Sequence, residues 1–159
     1  MRLREATLVD LPRLQHESEQ FGRINIQDGT KGGRSGASAP RWIRVNNHVR
    51  EALAFAAQAS PKGSRNLLAG DENYRGFQQT IVRPARDLLH QHGLKGFHEL
   101  RAAYACKRYE QLTHHPAPVN GGRGYQQDRQ LDQQARSLIG YVLGHGRIDV
   151  VAAYIGGRR

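Results

Sequence analysis

The chain has 159 residues, with 24 Lys and Arg against 14 Asp and Glu, a formal net charge of +10 and an apolar fraction of 38%. This length fits one domain of roughly 100–200 residues, and the apolar residues recur at regular spacings, which excludes a wholly disordered chain. No segment approaches the ~20 apolar residues of a membrane span, and no apolar leader follows Met1, so we expect a cytoplasmic protein.

The first third of the chain predicts a short helix, a small sheet and a longer helix. Residues 2–8 favour a helix that stops before Pro12. Because this helix starts at the beginning of the chain, we interpret residues 1–159 as one N-terminally truncated domain. Residues 23–27 and 41–45 alternate polar and apolar side chains, which indicates strands of a three-stranded antiparallel sheet. Helical spacing then begins at Asn47, behind an Asn cap, and ends near Ser60.

The remainder of the chain predicts helices. Four helical patterns follow one another, with Pro84 kinking or dividing the first and a loop over residues 113–126 after the second: 71–92, 96–112, 127–142 and 148–154. The predicted fold class is therefore α+β, mostly α-helical, with the three-stranded antiparallel sheet at one edge.

Two short segments carry the candidate chemistry. In residues 97–101, a spacing of three places His98 and Arg101 on one face of a helix. In residues 143–154, a glycine turn presents His145, and Tyr154 follows nine residues later on a short helix. Each residue alone has an ordinary structural explanation, such as a helix cap, a loop position or a half-buried aromatic. Their combination is what points to a site.

This combination resembles the catalytic domain of the tyrosine recombinases, or phage integrases, over essentially the whole chain. Five segments carry the resemblance in the order in which the family has them: Arg2-Leu3-Arg4-Glu5, Thr30-Lys31-Gly32-Gly33-Arg34, His98-x-x-Arg101, Leu143-Gly144-His145 and Tyr154. The second and third segments resemble the lysine-bearing hairpin and the second catalytic box. Among relatives, the sequence looks closest to integrases of integrative elements.

The resemblance implies a phosphate-binding set. Arg2 and Arg101 would clamp the scissile DNA phosphate, since a guanidinium offers forked donors that match phosphate oxygens. His145 would donate a hydrogen bond to a phosphate oxygen. These contacts would neutralise the charge that develops on the nonbridging oxygens during in-line attack.

The resemblance also implies a nucleophile and its proton donors and acceptors. Tyr154 would attack phosphorus and form a 3′-phosphotyrosine linkage, which conserves the bond energy without ATP, metal or any other cofactor. His98 would act as acid and base toward the tyrosine hydroxyl, and Lys31 would protonate the departing 5′ oxygen. The implied activity is site-specific DNA recombination or integration.

The charge predicts double-stranded DNA as the partner. Four of the 24 basic residues are lysines and the others are arginines, and a basic chain rich in arginine favours a polyanion as its partner. We expect a protein of the bacterial nucleoid that is monomeric when free and tetrameric on synapsed DNA, with no membrane partner. Six residues are candidate DNA contacts outside the catalytic set: Arg34, Arg44, Lys62, Arg65, Lys95 and Arg147.

Two alternatives stay open. On the interpretation of residues 1–159 as N-terminally truncated, without the core-binding domain that precedes this type of catalytic domain, we alternatively expect a truncated DNA-binding fragment without strand exchange. The second alternative is a type IB topoisomerase, which relaxes supercoils by closely similar chemistry. Ala102-Ala103 also stands where relatives commonly have His-Thr.

Other reactive residues have structural interpretations. Tyr104 and Tyr109 are predicted to pack in the core or cap their helix, and Tyr141 is predicted to be a core residue. His114-His115 lacks the spacing and carboxylate partner of a metal site. Cys106 is the sole cysteine, which excludes an internal disulfide, and it is predicted to be a small core residue.

Overall fold

A computed structural model describes residues 1–30, 40–145 and 147–157. The backbone is mostly helical and includes a small antiparallel sheet, as the sequence predicts at this level. It divides into two units, residues 1–87 and 88–159, each with its own apolar cluster. Within the described residues, no helix is both long enough and apolar enough to cross a bilayer.

The first unit opens with two helices and a strand pair. Its elements are α1 (Leu3–Leu8), α2 (Leu11–Phe21), β1 (Arg23–Asn25), β2 (Trp42–Arg44), α3 (Asn47–Ala59) and α4 (Tyr74–Phe77). The sequence does not predict α2, because Pro12 is expected to stop a helix rather than to begin one. Asp10 instead caps α2 by accepting a hydrogen bond from the Arg13 backbone at 3.0 Å, and Pro12 stands in the first turn, where its missing N–H costs nothing.

Within residues 1–30 and 40–145 the sheet has two strands, where the sequence predicts three. β1 and β2 pair antiparallel, with Ile24 opposite Ile43. Ile24 is buried with Leu14 of α2 and Leu53 of α3, so the sheet and the two helices share one apolar cluster. α3 begins behind Asn46, whose side chain accepts a hydrogen bond from the Val49 backbone at 3.0 Å, as the predicted cap requires.

Pro84 divides the predicted helix over residues 71–92. α4 passes into one π-helical turn, Gln78–Val82, and then into α5 (Arg83–Gln91). The Arg83 N–H bonds to the carbonyl of Gln78, five residues back. A proline cannot donate the next hydrogen bond of a regular helix, and the wider turn directly before it accommodates that loss.

The second unit is built on two long helices. Its elements are α6 (Phe97–Thr113), a 3₁₀ turn (Pro118–Asn120), α7 (Gly124–Gln127), α8 (Arg129–Leu143), a second 3₁₀ turn (Asp149–Val151) and α9 (Ala152–Ile155). α6 and α8 bury Ala105 and Ile139 against each other, and Val151 and Ile155 from the C-terminal segment complete the apolar cluster. The C-terminal residues are therefore part of the core of this unit.

Candidate active site

α6 places His98 and Arg101 at its N-terminal end. Gly96 occupies the N-cap with φ 140°, a conformation that side-chain-bearing residues rarely adopt. The Glu99 carboxylate accepts a hydrogen bond from the Lys95 backbone at 2.7 Å, which fixes the entry into the helix. His98 and Arg101 then project from neighbouring positions of one face, as their spacing predicts.

A left-handed glycine ends α8 and delivers His145. Gly144 has φ 73°, and the His145 N–H donates to the Gly140 carbonyl at 2.8 Å, so the chain turns back over the last helical turn. Arg101 reaches this turn from α6 and donates from Nη2 to the Leu143 carbonyl at 3.0 Å. One guanidinium thus joins the two helices at the point where the candidate residues meet.

Tyr154 lies on α9 with its hydroxyl at that meeting point. The side chain is only 7% exposed. Its hydroxyl oxygen is 3.1 Å from Nε2 of His145 and accepts a hydrogen bond from Nη2 of Arg101 at 3.5 Å. The same Nη2 lies 3.5 Å from Nε2 of His145. Because a guanidinium only donates, this arrangement favours a lone pair on Nε2, toward which the tyrosine hydroxyl donates.

The tyrosine ring has two further neighbours. The His98 ring lies tilted against it, with centroids 5.0 Å apart and planes at 33°. The Cζ atom of Arg101 is 5.6 Å from the ring centroid, a cation–π distance. Four of the six predicted catalytic residues therefore converge within residues 88–157: His98, Arg101, His145 and Tyr154.

Arg101 also has a hydrogen-bond donor that is not used by the described residues. Its Nη1 atom is buried and makes no hydrogen bond with any residue that the structure describes. A buried donor without an acceptor costs free energy, about 1–3 kcal/mol for a neutral group and more for a charged guanidinium. An anion at this position would recover that cost through charge-assisted hydrogen bonds.

Arg2 belongs to the first unit and is held by Glu5. The Glu5 carboxylate is fully buried. It accepts hydrogen bonds from the Arg2 backbone at 2.6 Å and from Arg2 Nη1 at 3.1 Å. Arg41 forms an ion pair with the same carboxylate, with its Nη2 atom 2.8 Å from Oε2 of Glu5. Burial by itself would raise the pKa of Glu5, but the hydrogen bonds and charges of Arg41 and Arg2 outweigh it, so the pKa lies below its ordinary value.

The predicted hairpin lysine, Lys31, and its neighbour Arg34 lie outside the described residues. The segment that leads into them is closely tied to the first unit. Arg13 donates to the Asp28 carboxylate at 2.6 Å. Gly29 has φ 64°, and a Cβ there would lie 2.7 Å from the Arg4 carbonyl oxygen. The approach of Gly29 to α1 thus requires a glycine.

The candidate DNA contacts fall into two groups. Arg44, Lys62 and Lys95 are exposed. Arg65 and Arg147 are exposed too, but each pairs with a carboxylate. Arg65 lies 2.7 Å from Asp10, and Arg147 lies next to Asp149.

The other tyrosines partly depart from their predicted places. Tyr109 is fully buried, as predicted, whereas Tyr104 is 45% and Tyr141 44% exposed, so neither is a core residue. Tyr104 lies on α6 and Tyr141 on α8, each on the side of its helix that faces solvent. Cys106 is half-buried against the core, and this burial raises the pKa of its thiol. Among the described residues, no three His, Cys, Asp or Glu side chains are placed to share a metal ion.

The second unit contains a buried polar network that is not among the predicted sites. Asp132 accepts hydrogen bonds from Nε of Arg136 at 2.9 Å and from the Tyr109 hydroxyl at 2.8 Å. All three side chains are buried. Burial and the adjacent Asp132 carboxylate raise the pKa of Tyr109 to about 12, so its hydroxyl remains a donor. The i, i+4 spacing of Asp132 and Arg136 in a helix with a regular apolar pattern is the sequence signal that indicates such a pair.

Comparison with known proteins adds no assignment. No protein-family model, no curated protein and no solved structure matches this chain. The interpretation of the site therefore depends on the chemistry of its own side chains.

Proposed function

We propose that this chain breaks and rejoins DNA through a covalent phosphotyrosine intermediate, as the tyrosine recombinases that its sequence resembles do. One observation carries the proposal. A tyrosine hydroxyl inside a largely buried side chain lies 3.1 Å from a histidine nitrogen and 3.5 Å from an arginine nitrogen. A cation and a proton acceptor at one phenol oxygen are what a tyrosine nucleophile needs for attack on a phosphodiester.

The proposed step forms one bond and breaks one. The Tyr154 oxygen bonds to the DNA phosphorus, the bond from phosphorus to the 5′ oxygen breaks, and the protein is left joined to the 3′ phosphate. Arg101 stabilises the charge on the nonbridging oxygens, with Nη1 as the donor that is still unpaired within the described chain. Arg2 is proposed as the second phosphate clamp, and Lys31 as the acid that protonates the 5′ oxygen. Religation reverses these transfers.

The contacts favour an exchange of the two histidine roles that the resemblance implies. His145, rather than His98, touches the hydroxyl, so we assign proton uptake from Tyr154 to His145. His98 lies against the ring instead and is exposed at the start of α6. It is the better placed of the two to donate to a phosphate oxygen from the solvent side.

Covalent trapping tests the nucleophile. A pool of nicked duplexes with a randomised central sequence releases a short fragment on cleavage, so that a 3′-phosphotyrosine adduct accumulates and survives denaturing electrophoresis. We expect an adduct with the wild-type chain and with Tyr141→Phe, a control in the same unit, and none with Tyr154→Phe. An adduct that persists in Tyr154→Phe contradicts the assignment. DNA binding without any adduct supports the alternative of a binding fragment.

The same assay separates the histidines. We expect His145→Gln to slow adduct formation by about 10²–10⁴-fold, the usual contribution of general base catalysis. His98→Gln is expected to raise the DNA concentration required for half-maximal rate, with a smaller effect on the rate at saturation. Equal losses of the saturating rate in both variants would contradict the separate roles.

A further inference from the structure

The helix that carries Tyr154 cannot position it alone. α9 has four residues, whereas isolated helices shorter than ~12 residues are marginal in water. Its geometry must therefore be imposed by contacts with the rest of the unit, among them the burial of Ile155 in the apolar cluster. Val151, immediately before α9, is fully buried in the core, which fixes the entry. The exit from α9 is held by a different kind of contact.

Gly156, two residues after Tyr154, is fixed on two sides. Its carbonyl accepts a hydrogen bond from Nη1 of Arg136 at 3.1 Å. Its φ of 88° lies in the left-handed region, and a Cβ there would come within 2.8 Å of the Val119 backbone nitrogen. The chain thus leaves α9 against the Pro118–Asn120 turn, at a distance that only glycine permits.

Arg136 is itself held rigidly. Its Nε atom lies 2.9 Å from both oxygens of Asp132, and the Tyr109 hydroxyl donates to Asp132 from α6. Arg136 and Asp132 are 2% and 1% exposed. A guanidinium that is paired and buried in this way presents its remaining N–H groups in fixed directions. The hydrogen bond to Gly156 therefore ties the end of α9 to both long helices of the unit.

We propose that Arg136 and Gly156 form an anchor that positions the Tyr154 hydroxyl against His145 and Arg101. Neither residue touches the hydroxyl, so both are positioning residues that act through the backbone of α9. The role in DNA cleavage rests on the proposed function, whereas the anchoring of the tyrosine does not. Loss of the anchor is expected to free Tyr154 without altering the phosphate-binding side chains.

Gly156→Ala tests the anchor, with Gly157→Ala as its matched control. A Cβ at Gly157 would have nothing within 4 Å. The full-length chain is acetylated at tyrosine hydroxyls with N-acetylimidazole. Peptide-level mass spectrometry then measures the acetylation rate of each tyrosine, which reports on how well its hydroxyl is held. We expect severalfold faster acetylation of Tyr154 in Gly156→Ala and an unchanged rate in Gly157→Ala. Tyr141, which is 44% exposed, is the internal reference and is expected to react equally in all proteins.

Covalent trapping supplies the second readout. In Gly156→Ala we expect the rate of adduct formation at saturating DNA to fall by about 100-fold, the usual effect of displacing a reacting group by ~1 Å. The Kd for DNA is expected to be unchanged, since Arg101 and His98 stay on α6. A general loss of folding would instead weaken binding and raise the acetylation of every buried tyrosine.

The possible outcomes separate the anchor from the proposed function. If the wild type forms no adduct, the proposed function fails, while the acetylation rates still decide whether the anchor exists. If Gly156→Ala matches the wild type in acetylation, the anchor is overturned. If circular dichroism shows that Gly156→Ala is unfolded, Arg136→Lys decides, because a lysine keeps the charge next to Asp132 and loses the fork that also reaches Gly156. Unchanged acetylation of Tyr154 in folded Arg136→Lys overturns the proposal as well.

Discussion

Glu5 shows how one buried carboxylate can hold a catalytic candidate in place. Glu5 binds both the backbone and the guanidinium of Arg2, while Arg41 neutralises it from the opposite side. Glu5, three residues after Arg2 in the sequence, thus has a physical role as a support for Arg2.

Glu5→Gln is predicted to destabilise the first unit by about 3 kcal/mol at pH 7, because it leaves the buried Arg41 without its counter-charge. Because the pKa of Glu5 is lowered in the folded protein, its ionised form stabilises the fold above the ordinary glutamate pKa of about 4.3. That stabilisation disappears as the pH falls through the lowered folded-state pKa. The difference between the wild type and Glu5→Gln should therefore shrink in acid.

Urea titration followed by tryptophan fluorescence measures this effect. Trp42 is the sole tryptophan and lies in β2, so the signal reports on the first unit. Glu51→Gln is the control, because the Glu51 side chain is 74% exposed and its loss should change the midpoint little. Equal midpoints for the two variants at pH 7 would show that the buried cluster contributes no net stability.

The positions of His98, Arg101 and His145 within their own segments follow from local spacing, so the sequence predicts them. His98 and Arg101 share a helix face, and Gly144 makes the turn that presents His145. The contacts of Asp132 with Tyr109 and of Arg136 with Gly156 are not predictable in this way, because they join segments 20 or more residues apart. No local pattern states which carbonyl a buried guanidinium will reach.

At the scale of elements, the observed bounds of the three longest helices agree with their predicted bounds. α3, α6 and α8 begin and end within a few residues of the predicted bounds. α2 was missed because proline both ends helices and begins them, and the sequence signal that separates these cases is the capping Asp10 two residues earlier. The third strand of the predicted sheet has no counterpart among the described residues, since β1 and β2 pair directly with each other.

α8 carries Arg136 of the anchor and ends at the turn that presents His145. A substitution at the N-cap of α8 is a way to weaken this helix without changing the others. The Asp128 side chain accepts a hydrogen bond from the Leu131 backbone at 2.8 Å. Asp128→Ala is predicted to destabilise the start of α8 by about 1 kcal/mol, whereas Asp128→Ser retains a capping oxygen and should stay within a few tenths of a kcal/mol.

Amide hydrogen exchange with peptide-level mass spectrometry is the appropriate measurement, because it resolves local opening. Faster exchange is expected in the first turns of α8 in Asp128→Ala, with no change in α3. The last turn of α8, where Arg101 bonds to the Leu143 carbonyl, should be protected as in the wild type. Equally faster exchange along all of α8 would mean that the helix opens as one unit and that the effect of the cap is not confined to the first turns.

At the scale of the whole chain, which has a net charge of +10, some basic side chains are paired with carboxylates and others are not. Several arginines are engaged by carboxylates within the protein, as Arg13 is by Glu17 and Arg65 is by Asp10. An arginine with such a partner contributes little net charge to a DNA-binding surface. The candidates that gain most from phosphate contact are therefore exposed basic residues such as Arg44 and Lys62.

This distinction predicts how DNA affinity depends on salt. Each phosphate that the protein neutralises releases counterions, so the logarithm of the binding constant falls with the logarithm of the salt concentration with a slope of about −0.9 per contact. Arg44→Gln and Lys62→Gln are each expected to make that slope shallower by about 1. Arg65→Gln and Arg147→Gln should change it less, because Asp10 and Asp149 already offset those charges.

Fluorescence anisotropy with a labelled duplex at a series of salt concentrations measures the slope for each variant. The comparison is internal to the protein, since every variant removes one positive charge and differs only in whether a carboxylate stands beside it. A slope close to zero for the wild type would exclude binding through a basic surface. Equal changes in all four variants would show that net charge alone, and not the pattern of ion pairs within the fold, determines the affinity for DNA.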